Sequence, residues 1–180
     1  VVYKFESPTH HQVIQRGKLN YGWVDLKVSS NRQNFINRKL ECRFTLNAEK
    51  GTWKKINGEW KDGFFTHRLR VPAGGWYNLE IRETGNHDHR SQVLQFGVGE
   101  IFVVAGQSNS GNYGEVRQST QTGLVSAYNH INKWQLAIDP QPGAGGRGGS
   151  IMPLLGDLLV REFEVPVGIV AYGQGGTSVR

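Results

Sequence analysis

The fold is decided by residues 101–110, which read IFVVAGQSNS. The first five residues are apolar and mostly β-branched, so they predict a short strand buried on both faces, as in a parallel sheet. A glycine ends this strand, and Ser108 follows at its carboxyl end. Because ligands of open α/β sheets bind outside the carboxyl ends of strands, Ser108 is placed to act as a nucleophile. The alternative is that Ser108 or Asn109 only caps the segment that follows.

The sequence after Ser108 predicts one βαβ unit. A polar, glycine-rich stretch over residues 106–149 leads to a helix, with Ser150 as candidate N-cap and Pro153 in the first turn. The apolar stripe of this helix, at 3.6-residue spacing, is formed by Ile151, Leu154, Leu155, Leu158, Leu159 and Phe163. Pro166 ends the helix, and residues 167–171 predict a second buried strand parallel to the first. Two parallel strands leave their edges uncovered, so we expect the rest of this α/β domain to come from a longer precursor or another piece of the molecule.

The first half of the chain has the pattern of an all-β domain. Short apolar and aromatic segments alternate with Gly, Pro and Asn turn signals, and the predicted strands are residues 11–15, 21–28, 40–46, 64–71, 76–82 and 92–98. This spacing suggests a β-sandwich, Ig-like or jelly-roll-like. We therefore predict a sandwich domain at residues 1–98 and an α/β domain at residues 99–180.

The charge of the 180-residue chain is uneven. The net charge is +6; residues 1–98 carry 16 Lys and Arg against 9 Asp and Glu, whereas residues 99–180 carry 5 against 6. The basic residues of the first half are scattered among acids, which favours a solvated face over nucleic-acid binding; an anionic polysaccharide or surface is the other interpretation. No apolar run is long enough for a transmembrane helix. The single cysteine, Cys42, is expected to be a small buried hydrophobe.

Three further motifs have open interpretations. Residues 173–178 read GQGGTS, which is either a plain turn or a site where a backbone N–H approaches a ligand; it lacks the Gly-Lys-Ser/Thr of a phosphate loop. Residues 143–149 read GAGGRGG and predict a flexible loop, or one from which Arg147 contacts substrate. The pair His87 and His89 is weak evidence for a metal site. His130 precedes the predicted helix and is a poor candidate for the base that would activate Ser108.

Two separate stretches of the sequence together resemble the motif blocks of a known family. Residues 98–109, reading VGEIFVVAGQSN, resemble the first motif block of the sialate O-acetylesterase-like branch of the SGNH/GDSL hydrolases. Residues 165–171, reading VPVGIVA, and the GGT of residues 175–177 resemble the second block. Residues 134–140 and 149–153 also fit, and the resemblance covers about residues 65–180 with the preceding β-sandwich.

The resemblance implies a three-layer α/β/α fold and a carbohydrate esterase, secreted or periplasmic, that removes O-acetyl groups without a cofactor. Ser108 would be the nucleophile, and its N–H and that of Gly176 would form part of the oxyanion hole, with Gly175 the less favoured donor. Gln107 and Asn109 would also belong to the substrate-binding site. The expected partners are an acetylated carbohydrate and the rest of the esterase domain, not nucleic acid or membrane.

The sequence departs from the family because its third block and its late Asp-x-x-His block do not occur here. We therefore expect the base to lie beyond Arg180 and the chain alone to be inactive. Two alternatives remain: a carbohydrate-binding protein with a degenerate esterase domain, and an esterase for a non-sugar ester. An Asp-x-x-His encoded downstream in the gene would favour the enzyme.

Overall fold

Strands dominate the computed structural model, which describes residues 2–31, 37–131 and 133–178. About 55% of the chain is strand and 9% is helical. The strands are β1 Tyr3–Ser7, β2 Gln12–Gln15, β3 Tyr21–Ser30, β4 Leu40–Leu46, β5 Glu49–Lys50, β6 Lys54–Ile56, β7 Glu59–Lys61, β8 Phe64–Pro72, β9 Gly74–Glu83, β10 Asn86–Arg90, β11 Leu94–Gly106, β12 Val125–Asn129, β13 Lys133–Leu136 and β14 Val167–Gly173. The described α-helix is α1, Met152–Phe163.

Two sheets pack face to face in the first half of the chain. One has the order β1-β3-β8-β7, and the other contains β11, β9, β4 and β5 in that order. Alternate residues of β3 and β8 point inward, as the pleat requires. They share one core with the second sheet, which includes Val24, Leu26, Phe65, Leu79, Ile81 and Phe96. Each of the six strands predicted here overlaps an observed strand, and the arrangement is consistent with the predicted sandwich.

Strand β11 connects the sandwich to the second half of the chain. Its first residues pair with β9 and β2, and residues 100–106 pair in parallel with β14. The two halves are therefore parts of one ten-stranded sheet, with β11 running unbroken through residue 98. Close contact reinforces this junction, since a Cβ on Gly99 would overlap the carbonyl of Pro166.

The predicted parallel pair is present, and it gains two strands that the sequence did not reveal. β14 lies between β11 and β12, parallel to both, and β13 pairs antiparallel with β12. A second core joins α1 to one face of these strands and includes Val125, Ala127, Met152, Val160, Val167 and Ile169. Residues 106–149, for which the polar and glycine-rich sequence predicted no particular element, thus contain a β-hairpin.

The predicted three-layer α/β/α fold is wrong. The chain is mostly β, and α1 is the one α-helix in residues 2–31, 37–131 and 133–178, so it covers one face of the sheet. The opposite face leaves Val103 69% exposed and Tyr172 72% exposed. Residues 101–105 are accordingly not buried on both faces. Nothing in the described ranges is a helix long and apolar enough to cross a membrane.

Helix α1 packs through a different face from the one predicted. Its buried residues include Met152, Gly156 and Val160, whereas Leu154 and Leu158 of the predicted stripe are exposed. Gly156 explains this choice, because a Cβ there would overlap the side chain of Val125, so the helix lies unusually close to the sheet. The N-cap of α1 is Ile151 and not the predicted Ser150, although the Ser150 hydroxyl accepts a hydrogen bond from the Met152 N–H at 3.2 Å.

Candidate functional site

Parallel pairing brings the two motif loops to the same edge of the sheet. Gly106 at the end of β11 lies opposite Gly173 at the end of β14. The N–H of Gln174 donates to the Gly106 carbonyl at 3.1 Å, one residue past the paired strands. Residues 107–110 and 174–177 therefore leave the sheet side by side, at the edge where open α/β sheets bind their ligands.

Ser108 begins a short 3-10 helix, Ser108–Ser110. The N–H of Ser110 donates to Gln107 O (2.9 Å), and that of Gly111 donates to Ser108 O (3.0 Å). The side chains of Gln107, Ser108 and Asn109 are exposed. The first N–H groups of a helix have no partner within it, so those of Ser108 and Asn109 are suited to bind an anionic oxygen.

Gly173 supports this turn from below. A Cβ at Gly173 would overlap the carbonyl of Ser110 and lie 2.7 Å from the N–H nitrogen of Gly111. Any larger residue would push the turn away from the sheet. Gly173 therefore sets the height of Ser108 above the strand ends, a role the sequence did not indicate because the contact is between residues distant in the chain.

The glycine-rich residues 143–149 are held by backbone hydrogen bonds. The N–H of Gly145 donates to Gly173 O (2.6 Å), and the N–H of Asn112 donates to Gly145 O (2.7 Å). Isolated bridges also join Asn112 to Gly146 and Gly114 to Gly149. The carbonyl of Arg147 accepts from the guanidinium of Arg117, while the Arg147 side chain is exposed outside the groove described below.

Asn112 fixes the chain that follows Ser108. Its side chain is 1% exposed; Nδ2 donates to the carbonyls of Gln141 (3.0 Å) and Ala144 (3.1 Å), and Oδ1 accepts from the Gln141 N–H (2.6 Å). A buried amide with all these partners ties two irregular segments together. Asn112 was not among the predicted site residues, because nothing in its local sequence distinguishes it from an exposed loop asparagine.

The side chain of Tyr113 packs closely against two glycines, Gly145 and Gly175. A Cβ on Gly145 would be 3.0 Å from the Tyr113 hydroxyl oxygen, and a Cβ on Gly175 only 2.7 Å from it. The phenol ring therefore spans from the segment after Ser108 to the turn after β14. It is 53% exposed and was not among the predicted site residues.

The two glycines predicted as oxyanion donors have different surroundings. Gly175 is half-buried against Tyr113, as just described. Gly176 is exposed, has a φ of +76°, and would have no atom within 4 Å of a Cβ. This left-handed conformation favours glycine. Both residues lie in the turn that leaves β14, next to the turn of Ser108.

A groove of about 950 Å³ runs from Ser108 along helix α1. We call it the Ser108 groove. Its lining residues include Ser108, Asn109, Tyr113, Gln118, Ser150, Ile151, Leu154 and Leu158. The wall formed by α1 is apolar and open to solvent, with Ile151 58% and Leu158 60% exposed. The nucleophile candidate thus stands at the polar end of a groove with an apolar side.

The Ser108 hydroxyl has no hydrogen-bond partner among residues 2–31, 37–131 and 133–178. His130 follows β12 at the same sheet edge, with β14 lying between β12 and β11. Within these ranges no three His, Cys, Asp or Glu side chains are grouped as a metal site. His89 of the predicted metal-like pair contacts Glu83 at 2.7 Å instead. The described residues therefore supply a nucleophile candidate without a contacting base.

Two buried carboxylates near the groove serve the fold. Asp139 accepts from the Gln118 N–H (2.9 Å) and the Ser150 N–H and hydroxyl (2.7 and 2.6 Å). Asp157 on α1 accepts from the hydroxyls of Thr120 and Thr122 (2.7 and 2.6 Å) and from the Gln121 N–H (2.7 Å). Burial alone would raise the pKa of Asp157, but these hydrogen bonds outweigh it and lower the pKa below its ordinary value of 3.8.

Asp157→Asn is expected to lower the free energy of unfolding at pH 7 by about 2 kcal/mol, because the amide NH₂ would face a backbone N–H, of Gln121 or of Thr122, whichever way the amide is turned. The pKa of Asp157 is lower in the folded state than in the unfolded state, so the ionised carboxylate stabilises the fold above pH 3.8. This stabilisation is lost as the pH falls and the carboxylate becomes protonated. The difference from wild type should therefore shrink below that pH. Urea denaturation at several pH values measures it, with Glu162→Gln on the exposed side of α1 as control. An equal effect of both variants would contradict this assignment.

Comparisons with known proteins do not assign the chain to a family. No protein-family model matches the sequence, and no curated protein matches it. The esterase resemblance accordingly rests on the two motif blocks, and the function is argued from the geometry around Ser108.

Proposed function

We propose that Ser108 is the nucleophile of a serine esterase that removes O-acetyl groups from a carbohydrate. The observation that carries the proposal is the position of Ser108, exposed at the carboxyl end of β11, in the groove, and beside the turn that leaves β14. Ligand sites of α/β sheets occupy this position. The SGNH-like motif blocks of the sequence coincide with the two turns, which supports the same chemistry.

In the proposed mechanism, Ser108 Oγ attacks the acetyl carbonyl carbon while a histidine base takes the serine proton. The carbonyl oxygen becomes an oxyanion that accepts hydrogen bonds from the N–H groups of Ser108 and Gly176. The bond to the sugar oxygen then breaks, and the histidine returns the proton to that oxygen. Water attacks the acetyl-serine by the same route, releasing acetate and restoring Ser108. This proposal draws the base from outside residues 1–180.

A second substrate class is favoured by the apolar wall of the Ser108 groove. Ile151, Leu154 and Leu158 expose aliphatic surface beside the nucleophile candidate. Such a wall would bury a longer acyl chain or an aryl group, gaining about 25 cal/mol for each Å² of apolar area covered. An ester of that kind is the alternative to an acetylated sugar.

The test measures ester hydrolysis by the intact gene product and by the 180-residue chain. The substrates are O-acetylated sugars and aryl acetates, which release acetate, and long-chain esters, which release a longer carboxylic acid. The chain is assayed with and without added imidazole, which can stand in for a missing histidine. We expect the intact protein to prefer acetylated sugars, and the chain to need imidazole. No ester hydrolysis above the imidazole background in either protein would reject the proposal and favour a non-catalytic carbohydrate-binding role.

A further inference from the structure

The outer face of β3 and β8 carries aromatic and arginine side chains in adjacent positions. Trp23 pairs with Arg70 across the two strands, and Tyr21 and Arg68 occupy the neighbouring outward positions. We call Tyr21, Trp23, Arg68 and Arg70 the sheet-face patch. Trp23 is 45% exposed although it stands beside the buried Val24. The patch therefore presents flat apolar rings and positive charge to solvent.

Contacts within the patch hold these groups side by side. The rings of Tyr21 and Trp23 meet edge to face, with centroids 5.7 Å apart. The guanidinium carbon of Arg70 lies 3.8 Å from the centroid of Tyr21, and that of Arg68 lies 5.3 Å from the centroid of Trp23. Cation–π contacts of this kind orient the guanidinium groups without neutralising them.

A groove of about 510 Å³ borders the patch. Its lining includes Tyr21, Trp23 and Arg68, together with Lys18 and Leu19 of the loop after β2, and no acidic residue from the described parts of the chain. Arg16 also lines it but is held by Glu100 at 2.7 Å. Lys18 and Arg68 are thus the cations that face this groove. Asp25 lies 3.2 Å from Arg68, but both side chains are more than half exposed, so that pair is weak.

Trp53 also contacts two arginine side chains, but both of these arginines are paired with carboxylates. The guanidinium carbons of Arg43 and Arg82 lie 4.6 and 4.1 Å from the ring centroid of Trp53. Both arginines are also paired with carboxylates, Arg43 with Glu80 and Arg82 with Glu41. These carboxylates neutralise the positive charge of the two arginines within the sheet, so neither arginine is available to bind an anion. The sheet-face patch differs because, among the residues that the structure describes, its groove is lined by cations and by no acidic residue.

We propose that the sheet-face patch and its groove bind an acidic polysaccharide. A carboxylate or sulfate of the chain would be held by Lys18 and Arg68, and Arg68 could engage it through two N–H groups. The C–H face of a sugar ring would pack on Trp23. Single-stranded nucleic acid fits less well, since it needs a continuous positive track, whereas Asp25 and Glu59 interrupt this face. The proposal does not depend on catalysis by Ser108.

The test is a titration of the chain, followed by isothermal titration calorimetry, with polygalacturonate, heparin, neutral dextran and a single-stranded DNA oligonucleotide. We expect at least one acidic glycan to bind, and the comparison of the two separates carboxylate from sulfate recognition. The double variant Lys18→Gln/Arg68→Gln should weaken this binding by about tenfold, and Trp23→Ala by a similar factor. The double variant Lys50→Gln/Arg90→Gln, which removes the same charge elsewhere, should stay within about twofold.

Four outcomes would overturn the proposal. These are no binding of either acidic glycan, equal weakening by both double variants, binding of dextran as tight as that of the acidic glycans, and tighter binding of the oligonucleotide than of either glycan. Thermal unfolding of each variant accompanies the titration. If Trp23→Ala is unfolded, the two double variants decide, because Lys18, Lys50, Arg68 and Arg90 are all exposed.

Discussion

Ser108→Ala is expected to lower ester hydrolysis by the intact gene product by about a thousandfold or more. The reason is that the variant lacks the Oγ that forms the acyl intermediate, whereas the backbone N–H groups of the turn and the groove remain. Its KM should change little, because the hydroxyl is a small part of the groove surface. Initial rates over a range of substrate concentrations separate the two effects.

The matched control for this variant is Ser110→Ala. Ser110 lies in the same 3-10 helix, two residues along, and loses the same atom. We expect its hydrolysis rate to stay within about threefold of wild type, a spread typical of variants that leave the reacting group in place. Equal losses in both variants would show that the substitution acts through the shape of the turn, and retained activity in Ser108→Ala would remove Ser108 from the mechanism.

Gly173→Ala is expected to destabilise the fold by about 2 kcal/mol and to reduce hydrolysis by about a hundredfold. The added methyl group would overlap the backbone of Ser110, so the turn that carries Ser108 must move away from β14. Urea denaturation measures the first effect, and the esterase assay at temperatures where the variant is folded measures the second.

Gly17→Ala is the control for the same change made without an overlap. A Cβ on Gly17 would lie 3.6 Å from the carbonyl of Tyr21, an ordinary contact distance. We expect its unfolding free energy to stay within about 0.5 kcal/mol of wild type. If Gly173→Ala were equally harmless in both measurements, the close packing of the turn on β14 would not position Ser108. The denaturation result stands even if no ester is hydrolysed.

The sequence identified the strands that position the candidate site, because short apolar runs bounded by glycine and proline are strong local signals. Both β11 and β14, and the place of Ser108 after the first of them, were predicted from such runs. The same runs could not show which faces are covered. An apolar strand looks alike whether helices lie on both sides or on one, so the exposure of Val103 and Tyr172 contradicted the expected three-layer fold.

Helix α1 shows a second limit of local patterns. Its leucines at 3.6-residue spacing predicted a buried stripe, yet the sheet contacts the neighbouring face through Met152, Gly156 and Val160. The choice depends on Gly156, which allows the helix to approach Val125 more closely than a leucine face would. Such a fit is set by the opposing strand and cannot be read from the helix alone.

The polar part of the site was hidden for a different reason. Asn112 bonds to residues about 30 positions later in the chain, and Asp157 bonds to a turn about 35 positions earlier. Their residue types are those of ordinary exposed loops and helix surfaces. Only the folded chain shows that they are buried and hydrogen-bonded, Asn112 to Gln141 and Ala144, and Asp157 to residues 120–122.

Trapping of an acyl group on Ser108 is the most direct measurement of the central claim. The intact gene product is quenched with acid during turnover of an acetyl ester and digested with trypsin, which releases residues 91–117 as one peptide. The account predicts one added acetyl group, located on Ser108 by fragmentation, removed by hydroxylamine and absent from Ser108→Ala. Acetate release with no acetyl on Ser108, or with the acetyl group on Ser91 or Ser110 instead, would contradict it.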